Sequence, residues 1–165
     1  MKIVRTTSGA NTDRWDRIRM LTQKIRCEEK FVLGPATTFE QVVAEFPNAT
    51  VVDFRARGEQ VIYDTEAFET GGQRFTGTFR FANGKLVVAE LRPDVEYPKN
   101  VSTPGARQQY RRALCDIWLS NLFGKPKCST RDANFYEFSW GRMYSVSMAA
   151  EDKSDRGGYI AVQYR

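Results

Sequence analysis

The chain has 165 residues, 41% hydrophobic and 13% aromatic, enough to bury a sizeable core, and one domain over 1–165 is the expected organisation. Twenty-five Lys and Arg against 20 Asp and Glu give a net charge of +5; this is compatible with an anionic partner, acidic protein or nucleic acid, but it is a mild excess without a basic run, and an ordinary solvated surface is the commoner reading. Histidine is absent, which excludes Ser-His-Asp and Cys-His catalysis and nearly every zinc hydrolase site, so an enzyme here would run on carboxylates, Tyr, Lys, Arg or an unassisted Cys.

Residues 1–11 form a polar lead without an apolar leader segment, and no run approaches the ~18 apolar residues that span a bilayer. The expectation is a soluble chain, cytoplasmic as it stands, periplasmic or secreted where a leader has been cleaved. Residues 13–26 carry Trp15, Ile18, Leu21 and Ile25 at helical spacing and predict an amphipathic helix. Gly34-Pro35 breaks it. Thr37 and Glu40 then have the spacing of a capping box, and Phe39, Val42, Val43 and Phe46 make the apolar stripe of a short helix that Pro47 ends.

Strand chemistry follows at Thr50 to Arg55 and Gln60 to Asp64, with Gly58-Glu59 as the turn, and a loop with Gly71-Gly72 leads to Gln73 to Arg92. In this last stretch Phe75, Gly77, Phe79 and Phe81 alternate with Arg74, Thr76, Thr78 and Arg80, and Asn83-Gly84 supplies the positive-φ turn of an antiparallel hairpin. Thr103 and Pro104 open the best-signalled helix and Gly124 closes it; Ala106, Tyr110, Ala113, Leu114, Ile117, Trp118 and Leu122 predict its buried face, with Arg107, Arg111 and Arg112 outside. Strands are expected again at Phe135 to Trp140, Arg142 to Ala149 and Tyr159 to Tyr164, Gly141 lying between the first two.

The order helix, strands, helix, strands suggests two halves of one pattern. VVAEFPNA (Val42 to Ala49) lies opposite LSNLFGKP (Leu119 to Pro126), QVIY opposite FYEFSW or RMYS, and the Asn83-Gly84 hairpin opposite MYSVSMA plus YIAVQY. With LFGKP at Leu122 to Pro126 and FANGKLVVAEL at Phe81 to Leu91, the chain resembles the αβ-sheet unit of the BamE/SmpA outer-membrane-assembly lipoproteins and of the β-lactamase inhibitory proteins. That resemblance implies an antiparallel sheet backed by helices and binding to another protein. Cys27, Cys115 and Cys128 reproduce neither the lipobox cysteine of the first family nor the cysteine pairs of the second.

Each candidate chemistry has a structural alternative. Asp53, Asp64, Glu66, Glu69 and Glu90 lie on or beside strands, where an acid/base pair would need ~5 to 9 Å between two of them; strand alternation already explains Asp53 and Glu90 as solvated or paired with Arg55, Arg57 or Arg92. Arg55, Arg57, Arg74, Arg80 and Arg92 with Tyr63 and Tyr97 make either an anion platform or a salt-bridged sheet face. Cys115 falls where burial makes a thiol inert and Cys128 follows two lysines; a bridge between the two is the oxidised alternative. Phe135, Tyr136, Phe138, Trp140 and Tyr144 cannot all point inward, so one face displays either Tyr136, Phe138 and Trp140 or Phe135 and its in-phase neighbours.

The expected fold is α+β, a curved antiparallel sheet of about six or seven strands with helices on one face, with a cone-shaped NTF2-like arrangement as the alternative. The expected function is a non-enzymatic protein-binding module of inhibitor, immunity or assembly-factor type, acting through an exposed sheet face. Its candidate binding residues are Arg55, Arg57, Arg74, Arg80, Tyr136, Trp140 and Arg142, without catalytic residues, metal or cofactor. A small-ligand or carboxylate-dependent enzyme is the second expectation and nucleic-acid binding the third.

Overall fold

The computed structural model describes residues 25–27, 31–54, 58–147 and 155–165. In chain order these form β1 (Ile25–Cys27), β2 (Phe31–Leu33), α1 (Phe39–Glu45), β3 (Thr50–Phe54), β4 (Glu59–Tyr63), β5 (Phe68–Thr70), β6 (Gln73–Ala82) and β7 (Lys85–Pro93). There follow α2 (Pro104–Phe123), β8 (Cys128–Ser129), β9 (Ala133–Phe138), β10 (Gly141–Val146) and β11 (Tyr159–Tyr164). The fold is α+β: an open, nine-stranded antiparallel sheet and a separate β1-β2 ribbon. Most of the helix expected over 13–26 lies outside the described residues, but its last two, Ile25 and Arg26, belong to β1, so the helix does not extend that far.

The sheet holds more strands than expected because two of them are too short to show a period. Three-residue β5 folds back onto β6 through Gly71 and Gly72, both at positive φ, and two-residue β8 pairs with β9. The hairpin expected at Gln73 to Arg92 is β6-β7, and Asn83 (φ 51°) and Gly84 (φ 74°) make its turn.

The strand order is β3-β4-β6-β7-β11-β10-β9-β8, with β5 beside β6. Each half is therefore a helix followed by a four-strand meander, α1 before β3, β4, β6 and β7, and α2 before β8, β9, β10 and β11. The meanders meet through their last strands, Leu91 opposite Ile160 and Ala89 opposite Val162. This matches the expected correspondence of the β6-β7 hairpin with β10-β11 and of β4 with β9. The central seam is the best-buried part of the sheet, with Ala89, Leu91, Ile160 and Val162 all sealed from solvent.

Both helices cover the same face. In α1, Val42 is fully buried, Phe39 meets Phe81 edge-on at 5.6 Å and the C-cap residue Phe46 stacks on Phe79 at 6.0 Å. Its capping box sits one residue later than expected: Thr38 is the N-cap, accepting from the Gln41 amide while Gln41 Oε1 accepts from the Thr38 amide. Thr37 is spent elsewhere. Its hydroxyl accepts from the Gly34 amide at 2.9 Å and fixes the turn before the helix.

In α2, Thr103 caps, Pro104 takes the first turn and Gly124 (φ 77°) is the C-cap itself, as the sequence signals except for one position. The buried face, however, is rotated. Gln108, Arg111, Cys115, Trp118, Leu119 and Leu122 face inward, while Ile117 is 56% exposed and Ala113 is exposed. Arg111, assigned to the outside by its charge, is the largest fully buried side chain among the described residues, at 1% exposure.

Candidate functional site

Among the described residues neither helix lies on the opposite face of the sheet, and strand alternation determines what that open face shows. Across the registers Thr78↔Glu90↔Ala161↔Tyr144↔Phe135 and Arg80↔Val88↔Gln163↔Arg142↔Glu137, these side chains share the face that Phe79, Ala89, Val162 and Met143 do not. Tyr63, Arg92 and Tyr159 belong to it by the same phase. On one flank Phe135 and Tyr144 stack at 5.4 Å and the Arg142 guanidinium lies 5.4 Å from the Tyr144 ring centroid, its Nε donating to Gln163 Oε1 at 2.8 Å.

On the other flank the face holds a cleft of about 510 Å³ lined by Tyr63, Asp64, Arg80, Glu90, Arg92 and Tyr159, together with Thr50, Thr78 and Arg156. Arg80 Nε pairs with Glu90 at 3.3 Å and Arg92 Nη2 with Asp64 at 3.4 Å. Burial first, and then the Glu90 charge, push the Tyr159 phenol above its ordinary value, so at neutral pH it is a hydroxyl donor. Both carboxylates of the cleft are thus bonded to guanidinium groups, and among the described residues the partner of Glu90 is Arg80, while Arg92 pairs with Asp64. Among the described residues no group of three or more Cys, Asp or Glu is placed to hold a metal.

The candidate residues divide. Arg80 and Arg142 are on the open face, one in the cleft and one over Tyr144. Arg74 shares their phase, is exposed and pairs with Asp94 at 3.2 Å, and it is not among the residues that line the cleft. Arg55 and Arg57 lie outside the described residues, as does the side chain of Asp53.

Tyr136 and Trp140 are not displayed. Tyr136 is 5% exposed, belongs to the helix-facing phase and donates its hydroxyl to Gly124 O at 3.2 Å, and Trp140, 7% exposed, stacks on Phe138 at 5.0 Å with planes 3° apart. Of the two phases left open for this segment, Phe135 and Tyr144 take the solvent side. The reason is α2, whose Leu122 and Phe123 end over β9; Phe123 sits 6.0 Å from Tyr136 and 5.1 Å from Phe138. Tyr97 also leaves the expected platform, lying against Tyr110, Arg107 and Arg111. Tyr159 and Arg156 were missed by sequence reasoning, although Tyr159 stands at an alternating position opposite the buried Ile160 and so carried a signal.

Cys115 and Cys128 are free thiols, so the bridge is not formed. Cys115 is sealed under α2, and burial, reinforced by Asp116, holds its thiol far above the ordinary range, whereas Cys128 is exposed on the edge strand β8. Native protein treated with iodoacetamide is expected to carry label at Cys128 within minutes and at Cys115 only after denaturation, read by peptide mass spectrometry. Equal labelling of both in the native state would mean that α2 lifts from the sheet.

The chain matches no protein-family model, no curated protein and no solved structure. No helix among the described residues is long and apolar enough to cross a membrane.

Proposed function

We propose that the chain is a non-enzymatic protein-binding module that recognises a protein partner through the open sheet face. The observation that carries this reading is what the face displays. Phe135, Tyr144 and Arg142 are stacked on one another, and Tyr63, Tyr159, Arg80 and Arg92 line a cleft beside them, on the side of the sheet opposite both helices. Tyr and Arg are the residue types that anchor interfaces, since each offers a broad apolar body with a polar tip. Eight strands side by side at about 4.8 Å and roughly 20 Å long present on the order of 700 Å², near the ~800 Å² that each partner gives to a standard interface.

A small-ligand site draws support from the same cleft, whose volume suits one, but its lining is paired charge where such pockets are mostly apolar. A carboxylate-dependent enzyme gets less support, because Glu90 and Asp64 both pair with arginine. Those pairs also spend part of the positive charge that nucleic-acid binding would need.

Partner captured from the native source and then purified is expected to bind with 1:1 stoichiometry in calorimetry. Tyr144→Glu should weaken it at least tenfold, and Ile117→Lys, on the exposed side of α2, by less than twofold. A partner indifferent to Tyr144→Glu and lost on Ile117→Lys would place the interface on the helix side and defeat the proposal.

A further inference from the structure

We infer that the cleft beside Arg92 receives one carboxylate side chain, Asp or Glu, from an acidic segment of the protein partner; this rests on the docking reading above and adds the chemistry of the contact. Among the described residues, three guanidinium groups, Arg80, Arg92 and Arg156, and two carboxylates, Asp64 and Glu90, line the cleft, one more positive charge than negative. A single carboxylate neutralises it. A phosphodiester chain carries a charge on every unit and would meet Glu90 and Asp64 as well.

The three arginines are unequally committed. Arg80 pairs with Glu90 across the β6-β7 pair at 3.3 Å, nearly the length of the Arg92 bond, but with a carboxylate that is 24% exposed against 69% for Asp64. Arg92 gives Nη2 to Asp64 at 3.4 Å, longer than the ~2.7 to 2.9 Å typical of a strong charge-assisted bond; its Nε, without an acceptor among the described residues, is sealed from solvent, so an entering group meets the terminal nitrogens. Arg156 is exposed and has no ion pair among the described residues.

The Arg92 to Asp64 bond is also easy to exchange. The Asp64 side chain is 69% exposed, and a pair that open to water contributes little. An entering carboxylate that accepts from Arg92 and Arg156 together replaces one long bond with two charge-assisted ones. Tyr63 and Tyr159 add neutral hydroxyl donors, and their rings give the aliphatic part of an Asp or Glu something apolar to lie against.

A phage-displayed library of random twelve-residue peptides, selected on the immobilised protein, tests this. Enriched peptides are expected to share an Asp or Glu among apolar residues. Changing that acid to its amide should raise the Kd at least tenfold, and Arg92→Gln with Arg156→Gln in the protein should raise it by the same factor without further loss when combined. Arg156→Gln alone, at an exposed side chain, guards against a folding defect and should still cost severalfold. Peptides lost on Tyr144→Glu but indifferent to acid or amide would overturn the carboxylate assignment and leave the docking reading standing. Peptides indifferent to both Tyr144→Glu and the arginine changes would overturn both. An oligothymidine that displaces the peptides at a lower concentration, and itself needs Arg92 and Arg156, would give the cleft to phosphate and overturn the assignment.

Discussion

Arg111→Ala is expected to lower the stability of the fold by about 3 kcal/mol, from an unsatisfied buried carbonyl and the hole left by a long buried side chain, since Asp155 is 38% exposed and keeps its pair with Arg107. The guanidinium is almost wholly sealed from water, so its charge is tolerated only because its donors are satisfied. Nε donates to Gly157 O at 3.0 Å, and Nη2 to Gly157 O at 2.6 Å and to Asp155 Oδ1 at 2.9 Å, while Nη1 donates to the Tyr97 hydroxyl. Truncation leaves the buried Gly157 carbonyl without this donor, at roughly 1 to 3 kcal/mol, and opens a hole beneath the chain that leads into β11. No neighbour relaxes into that hole easily, because the backbone already touches the helix at Gly158: a Cβ there would lie 2.4 Å from Gln108 O, and its φ is +73°.

Arg111→Lys separates charge from geometry. One ammonium on a flexible stem keeps the pair with Asp155 but cannot also fork onto Gly157 and reach Tyr97, so a loss of about 2 kcal/mol is expected, between wild type and alanine. Urea denaturation gives both values from the midpoint at unchanged slope. A loss below about 1 kcal/mol for Arg111→Ala would mean that desolvation of the guanidinium cancels its bonds.

The same residue shows where sequence reasoning stops. Period and caps located α2 to within a residue, because Thr103, Pro104 and Gly124 act on their own backbone and need no tertiary partner. Its rotation about the helix axis was not legible. Ile117 and Ala113 are apolar yet exposed, and Arg111 is charged yet buried, since its partners at 155 and 157 lie more than forty residues away.

The β6-β7 hairpin was legible because alternation, turn residues and pairing are all local. β5 and β8 were not, since two or three residues carry no period. For the candidate site, alternation put Arg74 and Arg80 on the polar phase of β6, the phase that points away from the helices. The aromatic segment 135–144 had two allowed phases, and only the position of Phe123 against Tyr136 and Phe138 decides between them.

Trp118→Ala is expected to cost about 3 to 5 kcal/mol and, more informatively, to weaken both halves of the sheet together. Trp118 belongs to the helix that opens the second half, but what it touches is in the first. Its ring meets Phe75 of β6 edge-on at 5.3 Å, and its Nε1 donates to Thr70 O at 3.3 Å and Gly71 O at 3.1 Å in the β5-β6 turn. Leu91 and Ile160 join the two meanders at the seam, and α2 spans that seam by packing on β7, β10 and β11. Two independent units would respond separately, protection from amide exchange falling in β6 and β7 while β9 and β10 stay closed. With the shared helix and the shared seam, protection is expected to fall in all four strands by the same free energy, and Trp118→Phe, which keeps one ring near Phe75 but loses the Nε1 donor and the rest of the indole, should cost about 2 to 3 kcal/mol. Loss of protection confined to β6 and β7 would show that the halves fold apart, and the open face would then be two surfaces joined at β7 and β11 in place of one.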